Sequence, residues 1–127
     1  MPGDMPISRI LLDNNVPIHL APLLRPREAV HASAVGWATL INGYLIKAAL
    51  THGFDAMITG DQNIEHQQNL SGLPLAFIVL TTTHWPTLRT NVALVLDAIE
   101  ALEPGGYSLL ALPRPPRRRG PYPRTEC

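Results

Sequence analysis

The chain has 127 residues, 46% hydrophobic and only 16% charged, one domain's length with a charge content below the usual quarter, which argues against a two-domain enzyme and for a well-buried sheet. Ten basic and ten acidic residues give a formal net charge of zero, but from Pro113 onward five arginines face one acid, net +4, while the first 112 residues hold five basic and nine acidic groups, net −4. The single cysteine, Cys127, excludes a disulfide-stapled scaffold; no apolar run approaches the roughly 20 residues that cross a bilayer, and the start MPGDMPISR lacks the basic-then-apolar pattern of a signal peptide, so a cytoplasmic location is expected.

In chain order, Ile7–Leu12 is an apolar run closed by the polar turn Asp13-Asn14-Asn15, which predicts a buried strand. Pro17 suits the first turn of a helix continued by His19, Leu20, Leu23 and Leu24 and stopped by Pro26. Ala29–Ala32 predicts a short strand and Gly36-Trp37 a loop. Asn42 is a fitting N-cap for a helix carrying Leu45, Ile46, Ala49 and Leu50, which Gly53 ends. Phe54–Thr59 predicts a third strand closed by Gly60-Asp61, and the polar Gln62–Leu70 begins as a short helix. Leu75–Thr81 is the clearest buried strand. Thr87 or Thr90 opens a helix with Val92, Val95, Leu96, Ile99 and Leu102 on its apolar face, Gly105-Gly106 breaks it, and Tyr107–Leu112 is a last strand. This alternation predicts an α/β fold with a mainly parallel sheet covered by helices on both faces. Residues 1–112 form the domain, and 113–127, with five prolines and few apolar side chains, are expected to be a disordered tail.

Ligands of open α/β sheets sit beyond the carboxyl ends of the strands, and two acids occupy such ends, Asp13 and Asp61. On neighbouring strands both carboxylates would enter one crevice. Clustered carboxylates suit Mg²⁺ or Mn²⁺, hard ions that prefer oxygen ligands and keep waters able to attack a phosphodiester. Glu65 follows Asp61 by four residues, on the same face of a helix. The plainer alternative makes both aspartates turn or cap residues. The amides Gln62, Asn63, Gln67, Gln68 and Asn69 either contact phosphate and base edges or cap their own backbone; Gln62 and Asn63, beside Asp61, are the candidates for substrate contact. The histidines lack the spacing of a zinc site, and no P-loop or dinucleotide fingerprint occurs. Trp37 and Trp85 read as core or interface anchors, with base stacking as the alternative for Trp37. The arginine-rich tail can contact RNA phosphates, dock on an acidic partner, or be a solvated extension.

The runs RILLDNNVPIHLAPLL, VGWATLINGYLIKAALTHGFDAMITGDQNIEHQQNL and LAFIVL resemble the PIN-like family of small predicted nucleases associated with toxin–antitoxin loci, over about residues 8–112. The combination of LLD-x-N-x-P with GFD-x-x-x-T-x-DQN-x-x-x-QQNL carries the likeness. It implies a three-layer fold whose acids hold Mg²⁺ or Mn²⁺ and cut RNA, with Asp13 and Asp61 as catalytic metal ligands assisted by Glu65 and Asn14. It also implies RNA as substrate, an antitoxin protein as partner and a tendency to form homodimers. Relatives commonly carry glutamate where this chain has Asn14 and Tyr44. With fewer carboxylates a divalent ion is held less tightly, so the alternative is a non-catalytic module of the same fold that binds RNA or a partner protein.

Overall fold

A computed structural model describes residues 7–113. The strands are β1 (Arg9–Leu12), β2 (Glu28–His31), β3 (Ala56–Thr59), β4 (Ala76–Leu80) and β5 (Tyr107–Leu110). They form one sheet in the order β2-β1-β3-β4-β5, and every neighbouring pair is parallel. The helices are α1 (Asn42–Thr51), α2 (Ile64–Gln67), α3 (Trp85–Thr90) and α4 (Val92–Ala101), joined by two 3₁₀ helices, Ile18–Leu24 and Ala32–Val35.

Side chains alternate across a strand with period two, and here both sets are buried. Ile10, Leu12, Ala56, Ile58, Ala76, Ile78 and Leu80 pack with Leu20, Leu24, Leu88, Val95 and Ile99 on one face. Leu11, Met57, Phe77 and Val79 pack with Leu45, Ile46, Ala49 and Ile64 on the other. The central strands therefore read as continuous apolar runs, as expected of a parallel sheet covered on both sides. Each fully buried Leu, Ile, Met or Phe contributes roughly 1.5–3 kcal/mol of hydrophobic stabilisation, so the sheet is a rigid frame for whatever its ends carry.

The expected fold class is the observed one; several boundaries differ for local reasons. The first helix is 3₁₀ rather than α, with Pro22 inside it; a proline there lacks the N–H that an α-helical ladder needs, and the tighter helix suits short pieces. Asn42 does not cap α1. Ile41 holds the cap position, Asn42 is the first helical residue, and its amide is free to turn toward the sheet end. The polar segment after β3 begins as the expected short helix, a single turn over Ile64–Gln67. The helix expected to open at Thr87 or Thr90 is α4, starting at Val92, and a separate α3 precedes it; the two part at Asn91, whose side-chain amide donates to the Thr87 carbonyl at 2.9 Å. Among the described residues no helix is long and apolar enough to cross a membrane. The tail from residue 114 lies outside the described residues.

Candidate functional site

In the order β2-β1-β3-β4-β5 the chain first steps from β1 outward to β2 and then returns to the other side of β1 for β3. The crevice beyond the carboxyl ends of β1 and β3 is thus the topological switch point, where open α/β sheets bind ligands. Register pairs Leu12 with Ile58, so the residue after β1, Asp13, stands opposite Thr59, and Asp61 follows two residues later.

Asp13 is only 6% exposed. Its backbone N–H continues the sheet by donating to the Ile58 carbonyl at 2.9 Å. Its Oδ2 accepts the Thr59 hydroxyl at 2.6 Å, and its Oδ1 accepts the Asn14 N–H at 2.6 Å. The same Thr59 oxygen accepts the Asp61 N–H at 3.1 Å. One hydroxyl therefore ties the two aspartates together: its proton points at Asp13, and its lone pair holds the backbone of Asp61. Asp61 in turn accepts the Asn42 amide on Oδ2 at 2.7 Å and the Asn63 N–H on Oδ1 at 3.0 Å. Asn42 also donates to Gln67 Oε1 at 2.9 Å, so α1, the β3 end and α2 meet at this point.

The flanking loops are fixed to the same place. Asn15 Oδ1 accepts the Gly60 N–H at 3.0 Å, Asn14 donates from Nδ2 to the Trp37 carbonyl at 3.1 Å, and Gln62 donates from Nε2 to the Thr81 carbonyl at 3.3 Å. Gly60 lies against the Thr83 methyl, where a Cβ would collide with it; the backbone approach at the strand end depends on that missing side chain.

Of the residues expected at the site, Asp13, Asp61 and Asn14 come together at the switch point, with Gln62 and Asn63 exposed on its rim. Glu65 does not join them. It faces the phenol of Tyr107 at the start of β5, whose pKa is raised by partial burial first and then by the hydrogen bond and charge of Glu65. Among the described residues no group of three or more His, Cys, Asp or Glu side chains is placed to hold a metal ion. Trp37 packs on His52 at 5.0 Å and on the edge of Phe54 at 6.2 Å between ring centroids, so it anchors the core beside α1. Tyr44 is 66% exposed.

Thr59, Asn42, Asn15 and Gln67 complete the arrangement and were not singled out from the sequence as site residues. For Thr59 the signal is its place two residues before Asp61 at a strand end; for Asn42 it is the amide at the mouth of a helix that follows a long loop. No family model matches this chain, and neither curated proteins nor solved structures give a match to it.

An ion at this point would find an all-oxygen donor set. Each of the four carboxylate oxygens accepts one protein hydrogen bond, and a carboxylate has about four acceptor positions in all, so half of the capacity of each aspartate is open. Mg²⁺ commonly keeps several waters and is held through one or two carboxylates together with substrate phosphates. The residues fit such an ion, at the low end of ligand charge.

Proposed function

We propose that this chain is a PIN-like, metal-dependent endoribonuclease whose acidic site is reduced to two carboxylates, Asp13 and Asp61. The observation that supports it most is the coupling of these two aspartates through Thr59 Oγ1, at 2.6 and 3.1 Å, at the switch point of the sheet. Asp13 and Asp61 would hold Mg²⁺ or Mn²⁺. When bound, such an ion supplies Lewis-acid polarisation of a phosphodiester and a nucleophile at neutral pH. The chain's own residues do the positioning. Thr59 fixes the Asp13 rotamer, Asn42 and the Asn63 N–H fix that of Asp61, and Gln62 and Asn63 line the approach for phosphate or base edges. With two carboxylates instead of about four, the ion is recruited weakly, and cleavage is slow.

A second reading is favoured by one observation: among the described residues no third acid reaches the pair. In that reading the domain is a non-catalytic module that binds RNA or a partner protein, such as an antitoxin, through the same crevice.

One set of variants separates them. Under the nuclease reading, Mn²⁺ titration calorimetry detects one weak site that Asp13→Asn and Asp61→Asn each abolish, Mg²⁺-dependent RNA cleavage disappears with them, and Asn14→Glu with Tyr44→Glu raises both affinity and rate by roughly tenfold or more. Wild type cutting as fast as the double variant refutes a weakened site. No Mn²⁺ binding and no cleavage in wild type refutes the nuclease and leaves the module.

A further inference from the structure

At the opposite, amino-terminal end of the sheet a second cavity lies outside β2, with a volume of about 370 Å³, lined by Ala21, Pro22, Arg25, Arg27, Glu28 and Ala29. Arg9, the register partner of Glu28, precedes Asp13 by four residues in β1, so the two sites are separated by roughly 13 Å along the strand at about 3.3 Å per residue. The cavity falls in the size range of small-ligand sites, about 300–1,000 Å³.

Its charges are unevenly matched. Glu28 is compensated, since its Oε1 accepts Arg9 Nε at 3.2 Å. Arg9 is itself committed elsewhere, donating to the His52 carbonyl at 2.5 Å and lying over the Phe54 ring at 4.4 Å. Arg27 is only 8% exposed, and its Nη2 donates to Glu100 Oε2 at 2.5 Å. Its Nε is buried with no hydrogen-bond partner among the described residues. Arg25, on the same wall, has no carboxylate partner among the described residues. A buried guanidinium with an unmet donor is costly for a chain to keep; since Arg27 Nη2 is taken by Glu100, the open fork on this cavity is that of Arg25, which matches the planar, multi-oxygen geometry of a phosphate beside the Arg27 charge.

We propose that this cavity binds a terminal phosphate group, a phosphate monoester, with Arg25 and Arg27 as its donors. The site is independent of the aspartate crevice, and so is its test. Three probes are titrated against the ¹⁵N-labelled full chain: inorganic phosphate, a nucleoside 5′-monophosphate, and a short RNA with and without a 5′-phosphate. The proposal requires saturable amide shifts at Ala21, Arg25 and Arg27–Ala29, with at least tenfold weaker binding in Arg25→Glu, whose side chain is on the surface and whose loss leaves the fold intact. Arg27→Lys, which keeps the charge but loses the fork, weakens binding as well. Shifts with the 5′-phosphorylated RNA but not its 5′-hydroxyl counterpart identify an RNA end as the source. Equal shifts with the monophosphate and no response to either RNA identify a free small ligand. Absent shifts, shifts confined to the aspartate crevice, or shifts indifferent to Arg25→Glu overturn the proposal.

Discussion

The two ends of the sheet differ in how far their charged groups are partnered. At the carboxyl end every oxygen of Asp13 and Asp61 already accepts a donor from the protein. At the amino end Arg27 is buried to a similar degree, yet its Nε is left without an acceptor. Burial alone therefore does not distinguish them; the supply of partners does. The aspartates sit among threonine and asparagine side chains and turn N–H groups, which the loops at strand ends provide in number. The Arg27 guanidinium has one side-chain partner among the described residues, Glu100. A group anchored at each of its oxygens is positioned for work that leaves it in place, whereas a group with a missing partner is poised to take one.

Thr59→Val breaks the first half of this contrast most severely. The isosteric methyl removes a donor from a buried carboxylate and an acceptor from the Asp61 N–H, which should cost about 3 kcal/mol, read as a lowered denaturation midpoint with unchanged slope. A midpoint equal to wild type would mean that the hydroxyl does not couple the two acids. The second half is tested by comparing Glu100→Gln with Arg27→Met. The first leaves a buried cation without its counter-charge and should cost about 1 kcal/mol, softened because Glu100 is largely exposed. The second removes the unmet donor along with the ion pair and should stay within about 0.5 kcal/mol of wild type. If Arg27→Met is the more damaging of the two, the guanidinium is a structural strut and not a waiting donor.

The smallest effect concerns Glu65, which faces Tyr107 instead of the aspartates. The Tyr107 phenol has its pKa raised above the ordinary 10.0 by partial burial and by Glu65. It therefore contributes stability that is fully present below pH 10 and is lost as the pH climbs past the raised value. Tyr107→Phe should flatten that alkaline fall in thermal midpoint and leave neutral-pH stability nearly unchanged. An alkaline limb identical to wild type would mean that ionisation of the Tyr107 phenol is not coupled to folding.

What the sequence made legible follows from the range of each signal. The parallel sheet was readable because LAFIVL and AMIT are apolar on both faces, a property of each segment by itself. Asp13 and Asp61 were readable as strand-end acids for the same reason. The role of Asn42 was not. A cap is a local preference, and it was displaced by a contact with a carboxylate 19 residues away, which no periodicity encodes. Glu65 was grouped with Asp61 because residues four apart share a face when both are helical; α2 begins only at Ile64, past Asp61, and Glu65 lies by Tyr107. Arg27 carried no signal at all, because its burial depends on α4 supplying Glu100, 73 residues later.

The bond from the Asp13 N–H to the Ile58 carbonyl has one more consequence. It makes Asp13 the last rung of the β1–β3 ladder, so Asp13 is placed by the sheet's lattice, about 4.8 Å across and 3.3 Å per residue along, whereas Asp61, two residues past the end of β3, is placed by its turn. The loop after β1 can change without moving the Asp13 backbone, but a change in the turn at 60–63 moves Asp61. A molecule that bridges both carboxylates meets one partner fixed by the sheet and one carried by a turn.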